Sequence, residues 1–566
     1  MQFRTLAWLI TTGTTLLGGA TASAQSSAPR TGDDLLGLWG AEPHLGPQVR
    51  GALLLDRDGR QWTMRVGGFE ARSQQVGDSA IIALPGGQGT LRLWASGQRV
   101  DAYWIQPAGM DPSYAMPVSL RVTGANAWRG TVTPIDAQFP LYLVVTRMPD
   151  GSLHGVFRNP VQNWPGRVAY YIVARDGESV TFTHPKTGKL QWRQPYDSAR
   201  RTIAFDFDAP IVLSPRTVEQ AVGFVPRSPA LRSYVYRRPA DITDGWTVSA
   251  PSAVGVDQRA LEAIVRDLHS VDPLNDTMPR VHSLLVARRG KLVLEEYFRG
   301  YAQDLSHDLR SASKTMTSIM VGAAQQHGAA ISSHTMLSAS PITLGQLLSH
   351  SSGLACDDDD DASPGNEDAM QSQHAQNDWY AFFMALPKVH EPGTTYSYCS
   401  AGINIAGKLL GDATKLWLPR LFETELARPL QFSTYGINLM PSGEAYSGGG
   451  MHLLPRDFLK FGQLYLDGGV WRGTRLVSAA WVRESIAHRI DRADGSDDGL
   501  GWHRHVLTAG MRRFQTYEAS GNGGQFLVVV PELQLTIVVT AGNYGQYPVW
   551  LKIREQLVPA VMRALR

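Results

Sequence analysis

The sequence predicts an α+β fold class, in which an all-β barrel or sandwich precedes a second domain that combines helices and strands. Short alternating segments separated by turns run from Leu35 to about Arg238, and such spacing is typical of an all-β domain. Beyond residue 250, a strand hairpin is predicted near each end of the region, with a helix before the first and after the second. We therefore expect a β-rich domain at residues 30–240 and a second domain at residues 251–566.

Segments with strand-like alternation recur throughout the β-rich region. They include Gly51 to Leu55, Trp62 to Val66, Thr90 to Trp94, Val100 to Ile105, Leu141 to Thr146 and Thr202 to Phe207. Turn sequences such as Asp56-Arg-Asp-Gly59 separate them. Four tryptophans could line an apolar ligand cavity, although such residues more often form plain core: Trp62, Trp94, Trp104 and Trp128.

The second domain is predicted to follow a polar linker at about residues 239–255. Asp257 is placed to cap a helix that runs to about His269. Two hairpins are predicted, and their strands are His282 to Ala287, Lys291 to Tyr297, Gln525 to Val530 and Leu535 to Thr540. A closing helix is predicted at Val549 to Leu565, with a kink at Pro559.

The motif Ser311-Ala-Ser-Lys314 is the most informative feature for function. In a helix, residues three apart share a face, so the hydroxyl of Ser311 and the amine of Lys314 would lie side by side. A serine hydroxyl becomes a good nucleophile when a neighbour takes its proton, and a desolvated lysine can do this. The alternative is a plain helix start, with Ser311 as N-cap and Lys314 exposed.

Landmarks downstream of this motif favour the catalytic interpretation. They are Leu347-Leu-Ser-His-Ser-Ser-Gly-Leu354, Pro392-Gly-Thr-Thr-Tyr-Ser-Tyr-Cys-Ser400, Gly448-Gly-Gly450 and Gly521-Asn-Gly-Gly-Gln525. In this order they resemble the serine β-lactamase and penicillin-binding superfamily, and within it the β-lactamase-related serine hydrolases, which include class C β-lactamases and family VIII esterases. The resemblance covers about Pro251 to Arg566 and implies a β-lactamase-like domain, with an antiparallel sheet flanked by helices and a helical subdomain.

The resemblance also implies roles for individual residues. It makes Ser311 the acylated nucleophile, Lys314 its base and Tyr398 the partner that relays the proton to the leaving group. It further implies an oxyanion hole formed by the backbone N–H groups of Ser311 and Asn522.

Substrate-binding positions follow from the same resemblance, and two of them depart from the family pattern. Ser400, Gly521 and Gly523 would line the substrate site, where glycine allows close approach to the backbone. Ser400 replaces the Asn of the family's Tyr-x-Asn, so the grip on a substrate amide is expected to weaken. The strand Tyr517-Glu-Ala-Ser520 lacks the Lys or His that helps relatives bind a carboxylate. With Glu518 nearby, we expect esters or uncharged amides rather than penicillins or free peptide C-termini.

Charge and composition limit the partners and the location. Fifty-three basic and 51 acidic residues give a net charge of +2 with no long basic run, so nucleic acid is not an expected partner. Residues 1–24 have the pattern of a secretory signal cleaved after Ala24. No cysteine follows the apolar stretch to accept a lipid, and no later run of about 20 apolar residues could span a bilayer. We expect a periplasmic or secreted protein without a stable membrane anchor, and the sequence leaves its oligomeric state open.

The chain contains two cysteines, Cys356 and Cys399. In an oxidising compartment a lone pair is usually bridged, so we predict a disulfide that would pin the segment around Tyr398. The alternative is two separately buried thiols. Neither cysteine has a paired ligand at zinc-finger spacing.

An acidic run at Asp357–Asp361 continues through Glu367 to Asp368. We interpret it as a solvated, self-repelling loop near the mouth of the cleft. Some of its carboxylates fall at calcium-loop offsets, but Ala362 stands where such a loop needs glycine, and the question of calcium stays open. Four histidines without a metal-ligand pattern are interpreted as structural or exposed: His350, His452, His503 and His505. We expect neither a metal nor a cofactor in the catalytic site.

The sequence therefore predicts an exported serine hydrolase that cleaves an ester or uncharged amide, in a small or oligomeric substrate, through an acyl-enzyme on Ser311. One alternative is a β-lactamase or D-alanyl peptidase. Another is a catalytically silent protein whose barrel binds a ligand or a cell-wall fragment. The presence of Ser311, Lys314 and Tyr398 together weighs against a silent protein.

Overall fold

A computed structural model describes residues 32–566, apart from 110–111, 162, 164–167, 207–209, 228–232, 339 and 373–377. The predicted signal segment, residues 1–24, lies outside the described residues. None of the helices in the described ranges has both the length and the apolarity that a membrane crossing requires.

The N-terminal region is all-β, as its strand spacing predicts, and part of it is a closed barrel. Within the described residues, eight strands form this barrel: Gly37–Ala41, Leu141–Arg147, Leu153–Arg158, Tyr171–Asp176, Ser179–Thr183, Leu190–Asp197, Thr202–Asp206 and Pro210–Pro215. The first strand closes the barrel because it pairs with both the second and the last. Aromatic side chains such as Phe157, Phe182 and Phe205 fill the interior, so the barrel is a packed core.

A second β unit is inserted between the first and second strands of the barrel. One of its sheets has the order Arg121–Gly124, Ala127–Val132, Gly51–Asp58, Gln61–Val66 and Phe69–Arg72. Trp62, Trp104 and Trp128 are buried together in its core, which favours the plain-core interpretation over a ligand cavity. Trp94 does not join them: it stacks on Trp417, with ring centroids 5.7 Å apart.

An antiparallel sheet connects this β unit to the second half of the chain. Its strand order is His307–Asp308, His452–Leu453, Tyr435–Asn438, Tyr114–Val118, Arg99–Gln106, Thr90–Ser96, Ser79–Ala83 and Gln74–Val76. The connection is made where Ile437 pairs with Ala115 and Asn438 pairs with Tyr114. Main-chain hydrogen bonds therefore join the N-terminal region to the strands that lead into the Ser311 motif.

The largest sheet belongs to the second half of the chain. Its order is Thr247–Val248, Lys291–Tyr297, Val281–Arg288, Leu535–Ala541, Gln525–Val530, Arg512–Gly521, His503–Ala509, Asp497–Asp498 and Ile490–Asp491. Both predicted hairpins are confirmed, and the strands Val281–Arg288 and Leu535–Ala541 pair antiparallel at its centre. Successive residues of the central strands point to opposite faces, so Leu285 and Leu284 enter two separate apolar cores.

Helices cover both faces of this sheet. The α-helices are Gln258–His269, Ser313–Gln326, Leu344–Leu348, Glu367–Gln371, Trp379–Met384, Ser400–Thr414, Leu418–Phe422, Pro455–Leu466, Ala479–Ser485, Tyr547–Lys552 and Val558–Arg563. The carboxylate of Asp257 accepts hydrogen bonds from the first-turn N–H groups of Arg259 and Ala260, as predicted for a helix cap. The closing helix is interrupted by a π-helical turn, Ile553–Leu557, just before Pro559. The predicted α+β arrangement of a flanked antiparallel sheet with a helical middle section is confirmed.

Candidate active site

Ser311 and Lys314 lie together at the start of a buried helix. Ser311 is in the 3₁₀ turn Arg310–Ala312, which leads directly into the helix Ser313–Gln326. The Nζ of Lys314 lies 3.0 Å from the Oγ of Ser311. Lys314 is only 4% exposed, and no side chain caps this helix, so the alternative of a plain helix start with an exposed lysine is wrong.

Tyr398 lies beside this pair. Its ring centroid is 4.9 Å from Lys314 Nζ, and its hydroxyl is close enough to Ser311 and Lys314 for both to lower its pKa. The same Nζ donates a 2.6 Å hydrogen bond to the carbonyl oxygen of Gly448, which belongs to the Gly448-Gly-Gly450 landmark. The lysine amine therefore lies between the Ser311 hydroxyl, the Gly448 carbonyl oxygen and the Tyr398 side chain, and both hydroxyl-bearing residues are able to exchange a proton with it.

The backbone around Tyr398 is fixed from two sides. The predicted disulfide between Cys356 and Cys399 is confirmed. On the other side, His350 Nδ1 accepts a 3.1 Å hydrogen bond from the backbone N–H of Cys399, and its ring packs 4.7 Å from that of Tyr398. Burial lowers the pKa of His350 to about 3, so this neutral histidine has a structural role, as the sequence pattern indicates.

Asp358 corrects the interpretation of the acidic run as a wholly solvated loop. Asp359 to Asp361 are exposed, but the Asp358 side chain turns inward. Its Oδ2 accepts a 2.7 Å hydrogen bond from the N–H of Ser400, and its Oδ1 accepts one of 2.9 Å from the N–H of Glu367. Burial raises the pKa of Asp358 to about 6, although Lys314 opposes the shift. The inward turn satisfies two main-chain donors that would otherwise be left without an acceptor.

The charges around Lys314 set its protonation state. Burial by itself would lower the pKa of Lys314, but Tyr398 and the carboxylates of Glu367 and Asp358 outweigh burial, so the pKa lies above its usual value. Burial raises the pKa of Tyr398, and the nearby Lys314 only partly offsets this. At neutral pH the pair therefore consists of an ammonium and a neutral phenol.

The expected oxyanion region lies at the end of the strand Arg512–Gly521, against the Ser311 turn. A Cβ on Gly521 would stand 2.3 Å from the carbonyl oxygen of Leu309 and 3.2 Å from the backbone N of Ser311, so only glycine fits there. Asn522, the next residue, is exposed, and its side-chain oxygen accepts a hydrogen bond from the N–H of Gly545. Gly523 has a φ of 94°. The structure thus brings the Gly521 segment next to the backbone of Ser311.

Two expectations about the substrate site need revision. Ser400 is fully buried at the start of the helix Ser400–Thr414, and Asp358 takes its N–H, so its contact with a substrate stays a prediction. Glu518 is fully buried as well and pairs with Arg554 and His505. Glu518 therefore presents no uncompensated charge to the substrate site, because these two partners compensate it and hold its pKa well below the usual range. The strand before Gly521 still lacks the lysine or histidine with which relatives bind a carboxylate.

The remaining histidines take part in local packing or ion pairs. His503 pairs with Asp498, and the ring of His452 packs edge-on against that of Tyr114. In the part of the chain that the structure describes, no group of three or more His, Cys, Asp or Glu side chains is arranged to hold a metal ion.

Sequence reasoning missed Asp358, Glu367 and Tyr446 as neighbours of the site. The Tyr446 hydroxyl hydrogen-bonds to Glu367, whose charge in turn raises the pKa of Lys314. A signal for Asp358 did exist: it lies two residues after Cys356, whose predicted partner Cys399 adjoins Tyr398. That disulfide places the start of the acidic run beside the Tyr398 segment.

Comparisons with known proteins agree with this geometry. The family model described as Beta-lactamase matches residues 280–548. A 6-aminohexanoate-dimer hydrolase from Paenarthrobacter ureafaciens is 28% identical over 231 residues, which are 38% of this chain and 58% of that protein. Penicillin-binding protein 4 from Amycolatopsis lactamdurans is 26% identical over 223 residues, which are 34% of this chain and 56% of that protein. The chain thus spans less than two thirds of the length of these two relatives.

Among solved structures, a penicillin-binding protein homologue from Caulobacter crescentus matches with a TM-score of 0.43 and 14% identity, covering 55% of this chain and 98% of that one. The matched part of this chain belongs to the serine β-lactamase and penicillin-binding protein superfamily. Proteins similar to this chain include an amide hydrolase, a family VIII carboxylesterase and penicillin-binding proteins.

Proposed function

We propose that this protein is an exported serine hydrolase, which cleaves an ester or an uncharged amide through an acyl-enzyme on Ser311. The observation that carries the proposal is the contact between Ser311 Oγ and Lys314 Nζ at 3.0 Å, with the Tyr398 ring 4.9 Å from the same Nζ. A nucleophile with two proton-exchanging neighbours is the arrangement that acyl transfer requires.

The residues support a two-step reaction. The Lys314–Tyr398 pair first loses one proton to solvent, which leaves a base beside Ser311. Ser311 Oγ then attacks the substrate carbonyl while its proton passes to that base, and the N–H groups of Ser311 and Asn522 stabilise the oxyanion. The pair returns the proton to the leaving alcohol or amine as the bond to the carbonyl carbon breaks. Water attacks the acyl-enzyme in the same way and regenerates Ser311.

The substrate class follows from what the cleft lacks. The strand that ends at Gly521 carries no lysine or histidine at its last four positions. It therefore lacks the cationic side chain with which relatives bind a substrate carboxylate. Neutral esters and amides are therefore the proposed substrates. The similarity to a 6-aminohexanoate-dimer hydrolase supports including that dimer among the test compounds.

Export is proposed from two features. Residues 1–24 have a secretory pattern, and the Cys356–Cys399 disulfide fits an oxidising compartment. A periplasmic or secreted location follows from these two features together.

The proposal is tested by intact-mass analysis after exposure to a fluorophosphonate. The wild-type protein is compared with Ser311→Ala and with the matched control Ser372→Ala, which changes an exposed serine. We expect one adduct on the wild type and on the control, and none on Ser311→Ala. Turnover is followed in parallel with a short acyl ester, 6-aminohexanoate dimer and a chromogenic cephalosporin.

Each outcome separates the candidate functions. Ester or dimer turnover that is lost in Ser311→Ala supports the proposal. Efficient turnover of the cephalosporin instead favours a β-lactamase. An adduct that persists in Ser311→Ala contradicts the proposal, because another residue then reacts with the probe. A wild-type protein that is neither labelled nor active also contradicts it and favours a binding protein.

A further inference from the structure

Three buried arginines lie at the junction between the barrel and the hydrolase sheet, away from the Ser311 group. Arg158 ends a barrel strand, Arg280 precedes the strand Val281–Arg288, and Arg299 follows the strand Lys291–Tyr297. They are 6%, 2% and 5% exposed, respectively. The proposed reaction uses none of them.

Strand pairing places these three side chains close together. Ser283 pairs with Tyr297, so the start of the first sheet strand and the end of the second lie side by side, and Arg280 and Arg299 share one edge. Gly542 donates its N–H to the carbonyl oxygen of Arg280. A Cβ on Gly542 would stand 2.5 Å from the carbonyl oxygen of Pro160, two residues beyond Arg158. The barrel arginine therefore approaches the other two across this glycine.

Among the residues that the structure describes, the guanidinium groups donate hydrogen bonds to neutral acceptors. Arg158 donates to the carbonyl oxygens of Phe157 and Leu274. Arg280 donates to side-chain oxygens of Asn163 and Gln546, at 2.6 and 2.7 Å.

Arg299 donates a 2.8 Å hydrogen bond to the carbonyl oxygen of Phe224. In the described part of the chain, no carboxylate forms an ion pair with any of the three, and the buried Nε atoms of Arg158 and Arg280 have no hydrogen-bond partner.

Arg456 shows the contrast. Arg456, at 1% exposed, binds Asp244 at 2.7 Å and Glu295 at 2.7 Å. Buried charges are normally paired in this way, because an uncompensated ion is costly in a medium of low dielectric constant. A cluster of three cations without an anion is therefore incomplete.

The pKa shifts of the clustered arginines also indicate positive charge without a compensating anion. Burial, and then repulsion by Arg158, lowers the pKa of both Arg280 and Arg299 to about 9, so both remain charged at neutral pH. The adjacent His282 adds no charge, since burial and then its neighbours His307, Arg299 and Arg280 hold its pKa well below the usual value. Asp276 lies close enough to raise the pKa of Arg158 and Arg280 slightly but forms an ion pair with neither.

We propose that Arg158, Arg280 and Arg299 form a binding site for a small oxyanion, a carboxylate or a phosphate, at the junction between the barrel and the hydrolase sheet. Planar guanidinium groups match both oxyanions and bind them through paired hydrogen bonds. The Nε–H groups of Arg158 and Arg280 have no hydrogen-bond partner among the described residues, and a bound anion would supply one. Because its residues come from both regions, a bound anion holds the barrel against the catalytic half of the chain. This site is independent of the proposed hydrolase activity.

The test is a set of thermal melts of the full chain in inorganic phosphate, in acetate, and in chloride at matched ionic strength. Phosphate or acetate that binds only the folded protein is expected to raise Tm by several degrees at saturating concentration, on the order of 5 °C. Arg299→Gln and Arg280→Gln should each lose most of this rise. The matched control is Arg288→Gln, because Arg288 is also buried and also bonds to main-chain carbonyls, but lies elsewhere. The control should keep the full response.

Calorimetric titration of the wild-type protein with phosphate or acetate gives the stoichiometry, which does not depend on how well a variant folds. One site per chain supports the proposal, and the more effective of the two anions identifies the ligand chemistry. Equal Tm responses in the wild type and in both cluster variants would overturn the proposal. So would a wild-type protein that responds to phosphate and acetate no more than to chloride.

Discussion

The carboxylate of Asp358 accepts a 2.7 Å hydrogen bond from the main-chain N–H of Ser400. This contact joins the acidic loop to the helix that begins immediately after Tyr398 and Cys399. The Cys356–Cys399 disulfide joins the same two segments, and the N–H of Asp358 donates a 2.8 Å hydrogen bond to the carbonyl oxygen of Tyr398. The position of Tyr398, the proposed proton relay, therefore depends on a loop that lies well before it in the sequence.

Asp358→Asn is expected to change the pH dependence of stability. The pKa of Asp358 is raised from 3.8 to about 6, so the folded state favours the protonated carboxyl, and the wild type loses stability as pH rises through about 6. The loss is on the order of 3 kcal/mol. The variant lacks this group and should become more stable relative to the wild type between pH 4 and pH 7, whatever constant cost the substitution has.

This is checked by measuring Tm of both proteins across that pH range. Asp360→Asn is the control, because Asp360 is exposed on the same loop and should leave the difference from wild type flat with pH. A difference between Asp358→Asn and the wild type that is also flat with pH would contradict the expectation.

Removal of the disulfide should lower both stability and activity. The bridge closes a loop of 43 residues, for which the loss of chain entropy corresponds to about 4 kcal/mol. It also fixes Cys399 beside Tyr398, so a Cys356→Ser, Cys399→Ser variant should lose turnover even at temperatures where it is folded. Melting curves and turnover with and without a phosphine reductant measure both effects. The double variant is the control, and its Tm and turnover should not respond to the reductant. A wild-type protein whose Tm and turnover are also unchanged by complete reduction would refute the prediction.

The proposed hydrolase should be more active in alkaline solution. The pKa values of Lys314 and Tyr398 both lie above their usual values, so the pair must lose a proton before it can accept one from Ser311. We expect kcat/KM for a neutral ester to rise about tenfold per pH unit from about pH 7 to 9. The rates are corrected for spontaneous hydrolysis in the presence of Ser311→Ala.

Asp358→Asn provides a second test of this pH profile. Removal of a negative charge near Lys314 lowers the pKa of the lysine, so the rise should begin at lower pH than in the wild type. A wild-type rate that falls between pH 7 and 9 would be incompatible with the proposed base.

Gly521→Ala is expected to lower kcat by about a hundredfold or more. The added Cβ would stand 2.3 Å from the carbonyl oxygen of Leu309 and 3.2 Å from the N of Ser311, so the strand must move away from the proposed oxyanion hole. Steady-state kinetics with a short acyl ester measures the effect. Gly411→Ala serves as the control, since a Cβ there meets its nearest atom at 3.7 Å within a helix. Normal kcat in Gly521→Ala would remove the Gly521 segment from the catalytic geometry.

Local patterns in the sequence were sufficient for several features. Alternation predicted both hairpins of the large sheet, the Asp257 cap predicted its helix, and the three-residue spacing of Ser311 and Lys314 predicted their contact. Each of these depends on residues close in the chain, where the geometry of a helix or strand fixes which side chains can meet. The bridging of Cys356 and Cys399 followed because the chain has only two cysteines.

Other features depended on contacts between distant segments. The sequence of the acidic run does not show that the Asp358 side chain turns inward. Its carboxylate oxygens accept hydrogen bonds from the N–H groups of Glu367 and Ser400, and only folding brings these groups beside it. Glu518 looked like an uncompensated charge until Arg554, 36 residues further on, was found beside it. The unpaired state of Arg280 is likewise a property of the packed junction, where its nearest side-chain oxygen comes from Asn163, 117 residues away. The sequence by itself determined many of the elements and the contact between Ser311 and Lys314. Tertiary packing decided which charges are compensated, because burial and pairing depend on neighbours that no local pattern specifies.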